Sequence, residues 1–201
     1  MRICVDVPWN RLGLIAELAD RFHGVSPQFG KTALEKMAYF LQELYGIGIG
    51  YDFSLYTYGP FTSQLLHDLD FAEALGAVRV ECVNSEIGGY TISAAPTASI
   101  VMGRAREFLG RQDVQAAITR LVEDFGGYSA KDLELRSTIV YIDRDALRRG
   151  CALNRDALAD MVRDIKPYFS VGEILGAINE LMVKGHFRNL GDDSSRMNEH
   201  P

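Results

Sequence analysis

Residues 31–62 run KTALEKMAYFLQELYGIGIGYDFSLYTYGPFT, and the hydrophobic period changes once within them. Leu34, Met37, Ala38, Leu41, Leu44 and Tyr45 recur at three-and-four spacing, which predicts a helix with one buried face. Thr32-Ala33-Leu34-Glu35 has the form of a capping box: the Thr32 hydroxyl accepts from the Glu35 amide and Glu35 reaches back. Gly46 ends this helix, and Gly48 and Gly50 prolong the turn. From Tyr51 to Tyr56 the period falls to two in strand-forming residues, so a half-buried strand is expected. Gly59-Pro60 stops it, and Thr62 or Ser63 caps the next helix. Helix, strand and helix in close succession make the chain a mainly helical α+β protein.

Working outward, an earlier helix is expected from near Pro8 to about His23, with Leu12, Ile15, Leu18, Ala19 and Phe22 on its buried stripe. Downstream, Leu65, Leu66, Leu69, Ala72 and Leu75 line the third helix, and Gly76 suits its left-handed C-terminal residue. Val78–Val83 and Tyr90–Ser93 are expected to pair as a hairpin across Asn84–Gly89. This order gives the N-terminal half a winged-helix-like plan. From Thr97 the pattern is all helical. One helix ends near Gly110 and another runs from Asp113 to Gly126-Gly127. A third opens with the box Ser129–Asp132, a fourth is capped by Asn154 and ended by Pro167, and a fifth opens with Ser170–Glu173 and ends at Gly185. The expected division is residues 1–95, a helical unit at 96–190, and a flexible tail at 191–201, with Ala94 to Thr97 as the boundary.

Composition narrows the function classes. The chain has 201 residues, 47% hydrophobic and 24% charged, which is globular rather than disordered. Lys+Arg is 21 and Asp+Glu is 27, a net charge of −6 that disfavours nucleic acid as a partner. The imbalance lies in residues 1–100, with 6 basic and 11 acidic side chains. Cys4, Cys82 and Cys151 are far apart and read as buried thiols of a reducing compartment. Asp6, Pro8 and Arg11 stand where an export signal needs an apolar run, and no stretch suits a membrane span. A cytoplasmic protein is expected.

The search for chemistry yields little of catalytic type. Gly46-Ile47-Gly48-Ile49-Gly50 leads out of a helix into a strand, the reverse of a phosphate cradle. The histidines His23, His67, His186 and His200 have no metal-ligand spacing, so neither metal nor cofactor is expected. His67 and Asp70 could share a helix face as an acid–base pair, but no nucleophile motif accompanies them. A DNA reader at residues 62–75 would carry Asp68, Asp70 and Glu73 and no cation. Arg136, Arg144, Arg148 and Arg149 form the one basic cluster, with Asp143 and Asp145 among them. Two partner-binding candidates remain. The first is the aromatic turn Tyr56, Tyr58, Gly59, Pro60 and Phe61, whose tyrosines and phenylalanine serve either as interface anchors or as pins to the third helix. The second is the acidic row Asp156, Asp160 and Asp164, spaced to share one face of a helix and suited to a basic partner.

The run Lys31–Gln42, then Tyr51–Phe61, then Leu65, Asp68, Leu69 and Gly76 resembles the YwgA-type proteins. It is more distantly similar to the Panacea (SocA-like) antitoxin domain. The likeness to the YwgA-type pattern continues through Leu133–Ile139 and Lys166–Ser170, with Gly59-Pro60-Phe61-Thr62 where Gly-Pro-Tyr-Ser is typical. The resemblance implies a small helical protein without cofactor or catalytic residues and, for the Panacea branch, one that neutralises a toxin. The expected function is therefore a non-enzymatic interaction protein, an antitoxin-like regulator with a protein partner, and homo-oligomers are compatible with it. A winged-helix-like transcriptional regulator is the alternative, with a hydrolase third.

Overall fold

A computed structural model describes residues 7–83 and 88–190. The elements follow in chain order: α1 Trp9–Arg21, α2 Lys31–Glu43, β1 Ser54–Tyr56, β2 Gly59–Phe61, α3 Ser63–Ala74, β3 Val78–Cys82 and β4 Tyr90–Ala94. Among the described residues only helices come after them: α4 Ala98–Arg104, α5 Arg106–Leu109, α6 Gln112–Phe125, α7 Ala130–Arg148, α8 Arg155–Ile165 and α9 Val171–Val183. The class is α-rich α+β, with two small strand pairs, β1 with β2 and β3 with β4. Among the described residues no helix is long and apolar enough to cross a membrane.

The chain packs as two units. One lies within Met1–Ser54 and Phe61–Leu133, the other within Leu55–Pro60 and Glu134–Pro201. The division falls inside α7, so Ala94 to Thr97 lies within the first unit. The tail at 191–201, residues 84–87 of the hairpin turn, Cys4 and His200 are outside the described residues.

In the first unit the α1 stripe Leu12, Ile15, Leu18, Ala19 and Phe22 is buried as its periodicity predicts. α1 packs on α4, and Gly13 permits the approach: a Cβ there would lie 2.4 Å from the Ala105 Cβ. Ala105 is also where the expected helix from Thr97 to Gly110 breaks into α4 and α5. Phe22 stacks on Phe29 at 4.9 Å and Phe40 on Phe125 at 4.3 Å, joining α2 to α6. β3 and β4 pair antiparallel with Val80 opposite Ile92.

Three local expectations need correction. α2 has no capping box: Gly30 is its N-cap, Thr32 lies within its first turn, and Glu35 is buried beside Lys36. Gly30 sits against the Tyr90 backbone, where a Cβ would come 2.3 Å from the carbonyl oxygen, so the N-cap position has no room for a capping side chain. Tyr51–Phe53 is not a strand. The Gln42 side chain donates to the Tyr51 carbonyl at 2.9 Å and accepts from its amide at 3.2 Å, taking both backbone groups a neighbouring strand would use. The strand is therefore only Ser54–Tyr56, and Gly59-Pro60 begins its partner rather than ending the pairing. Finally, Cys82 and Cys151 are exposed rather than buried.

The second unit holds the later part of α7 with α8 and α9. Its caps form as the sequence dictates: Asn154 accepts from the Ala157 amide at 2.8 Å, and Ser170 and Glu173 complete a reciprocal box. Its buried charges are paired. Asp143 bonds Arg144 and accepts the Arg188 and Asn189 amides at 3.2 Å, while Arg144 donates to the His186 carbonyl at 2.8 Å. Arg136 meets Glu180 at 2.5 Å. Arg136 and Arg144 are thus buried, and the basic cluster read around them is no surface patch.

Candidate functional site

The turn between β1 and β2 is rigid at its base and exposed at its tip. Gly59 has φ of +90°, and a Cβ there would lie 3.1 Å from both Ser137 Oγ and Thr138 Oγ1. Those hydroxyls donate to the Glu134 carbonyl at 3.0 and 2.8 Å, so they hold a fixed floor beneath the turn. Only glycine combines this positive φ with this clearance. Gly59 and Pro60 are buried and Phe61 is half-buried. Tyr56 and Tyr58 are 66% and 63% exposed.

Below the tip, Lys166 fastens the turn. Its amine donates to the Thr57 carbonyl and meets Glu134 Oε1 at 2.5 Å. The same carboxylate oxygen accepts the Tyr168 hydroxyl. Lys166 is 1% exposed and Glu134 6%, so each would be costly without the other. Burial, then the Glu134 carboxylate and Tyr58, push the Tyr168 phenol above the ordinary tyrosine range. Tyr168 is itself 54% exposed, so Tyr58 and Tyr168 are neighbouring surface aromatics. No local pattern in the sequence marks Glu134, Lys166 and Tyr168 as site residues. Their only signal there was the likeness at Leu133–Ile139 and Lys166–Ser170.

The acidic row lies along α8, where Asp156, Asp160 and Asp164 are exposed. Arg163 pairs with Asp160 at 2.9 Å. Met161 and Ile165, four residues apart, are exposed on the same helix, so its outer surface is part acidic and part apolar. His67 and Asp70 are exposed on α3, while Asp68 between them is buried and accepts the Tyr51 hydroxyl at 2.9 Å. Among the described residues, no group of three or more His, Cys, Asp or Glu could hold a metal ion. The arrangement leaves an aromatic turn and an acidic helix face exposed. No family model matches the sequence, and no curated protein matches it either.

Proposed function

We propose that this chain is a non-enzymatic interaction protein that grips a protein partner through Tyr56 and Tyr58. The observation that supports this is the pairing of two largely exposed tyrosines with a turn fixed by Gly59 and by the Thr57–Lys166 bond. A tyrosine on a rigid turn loses little conformational freedom on binding and gives a large contact area, which is why such residues serve as hot spots. Tyr168 extends the aromatic surface, and the α8 row of Asp156, Asp160 and Asp164 supplies a second contact for a basic partner. On the YwgA-type and Panacea resemblance, the partner is a toxin and the chain an antitoxin-like regulator. The DNA-binding alternative gains nothing from α3, whose exposed charges are Asp70 and Glu73.

The test is the double variant Tyr56→Ala/Tyr58→Ala, compared with the parent for stability and for partner capture with a tagged chain. The expected result is an unchanged unfolding midpoint with loss of one enriched protein encoded beside this gene. A stability loss of about 3–5 kcal/mol, as for a core aromatic, would refute the anchor role. So would undiminished capture of that protein.

A further inference from the structure

The first unit contains a cleft of about 650 Å³ that the interaction reading does not use. It is lined by Trp9 and Arg11 from the first turn of α1, by Asp68 from α3, by Arg104 at the end of α4 and by Phe108 of α5. Asp68 is already engaged, because its Oδ2 accepts the Tyr51 hydroxyl at 2.9 Å and meets Arg11 at 3.5 Å. Arg11 is positioned twice over, held by Asp68 and stacked 5.1 Å from the centre of the Tyr51 ring. A guanidinium has five N–H donors, and one carboxylate oxygen at that distance leaves most of them for other acceptors.

Arg104 is the second cation. It is exposed, it lies 5.6 Å from the centre of the Trp9 ring, and no carboxylate among the described residues pairs with it. An adjoining hollow is lined by Arg104, Arg106 and Glu107, so three guanidiniums face two carboxylates here. This is a positive locus in the half of the chain where acidic side chains are in excess. Arginine pairs are suited to oxyanions because each planar fork can take two oxygens at once. The volume is larger than a bare phosphate needs and falls in the range for small organic ligands. Trp9, half-buried, adds flat apolar surface beside the cations, and the nearly buried Phe108 also lines the cleft.

We infer that the cleft between α1, α3 and α4–α5 binds a small phosphorylated molecule with a planar ring, of mononucleotide size. Its phosphate sits between Arg11 and Arg104 and its ring lies against Trp9. No phosphate loop is needed: side-chain cations replace the backbone cradle.

Isothermal titration of the full chain with adenosine 5′-monophosphate, ribose 5-phosphate, inorganic phosphate and adenosine tests each part. The expected order is the mononucleotide first, with a Kd below about 1 mM, then ribose 5-phosphate, then phosphate, with no saturation by adenosine. Arg104→Ala should weaken the mononucleotide about tenfold or more, and Arg104→Glu should abolish its binding. Arg104→Lys should fall between parent and alanine, because it keeps the charge and loses the fork. Arg104 is exposed, so all three variants should unfold at the parent's denaturant midpoint, and that control is run alongside. Failure of every phosphate to bind, or binding indifferent to Arg104→Glu, overturns the site. Ribose 5-phosphate binding as tightly as the mononucleotide overturns the ring contact, and saturation by adenosine overturns the role given to the phosphate.

Discussion

Glu134 and Lys166 meet at 2.5 Å, and the pair makes further hydrogen bonds to the Tyr168 hydroxyl and the Thr57 carbonyl. Glu35 and Lys36, also buried, lie 3.7 Å apart, and Glu35 Oε1 has no hydrogen-bond partner among the described residues. Desolvation pushes the Glu35 carboxyl up to about 7, with Lys36 pulling it only partway back. The contrast separates two uses of a buried acid. A charge pair closed by further hydrogen bonds locks a turn in place, whereas an incompletely bonded one leaves an acid that takes up a proton near neutrality.

The largest break in this comparison should come from Lys166→Met. It strands Glu134 and releases the Thr57 carbonyl, so urea unfolding should report a loss of about 3–5 kcal/mol. Adding Glu134→Leu to Lys166→Met should recover part of it, since no isolated charge then stays buried. A cost for Lys166→Met below about 1 kcal/mol, the worth of an exposed pair, would show the bridge to be dispensable.

Gly59→Ala attacks the same turn through its backbone and should cost about 1–2 kcal/mol, the penalty of left-handed geometry for a residue with a Cβ. The Ser137 and Thr138 hydroxyls must also give way. A neutral result in the same unfolding assay would mean that the turn relaxes freely.

Glu35→Gln sharpens the other side of the comparison. The Glu35 pKa is raised in the folded chain from 4.5 to about 7, so the folded state holds its proton more tightly than the unfolded one. This contribution to stability is fully present below about pH 4.5 and is lost as the pH rises through about 7. Unfolding midpoints at about pH 5 and about pH 8 should therefore differ less in the glutamine variant than in the parent. An unchanged difference would assign the pH dependence to other groups. The smallest effect is expected from Tyr58→Ala, within about 0.5 kcal/mol, because the side chain is largely outside the packing that Gly59 and Lys166 secure.

What the sequence made legible was whatever a short window contains. The caps at Asn154 and Ser170 depend on groups three residues apart, and both form as read. The α1 stripe and the β3–β4 hairpin follow from periods of a few residues. Thr32 carries a good capping pattern but lies inside the first turn, and the N-cap is Gly30, packed against the distant Tyr90 backbone. Tyr51–Phe53 alternates like a strand, yet the Gln42 side chain satisfies the backbone instead. At the candidate site, the aromatic turn could be found because Tyr56 through Phe61 are contiguous. Its support could not be read, because Glu134 and Lys166 are 32 positions apart. No local pattern encodes that pairing.

The bond from Lys166 to the Thr57 carbonyl spans 109 positions, and the segment Leu55–Pro60 belongs by packing to a unit whose other residues begin at Glu134. A ribosome synthesising this chain releases the turn long before α8 and the lysine beyond it exist. At about 5–20 residues per second, Tyr56 and Tyr58 wait several seconds or more with their anchor unmade. A chain cut anywhere between Pro60 and Lys166 retains the tyrosines and loses what holds them. The exposed aromatic tip thus becomes a fixed surface only once synthesis has passed Lys166.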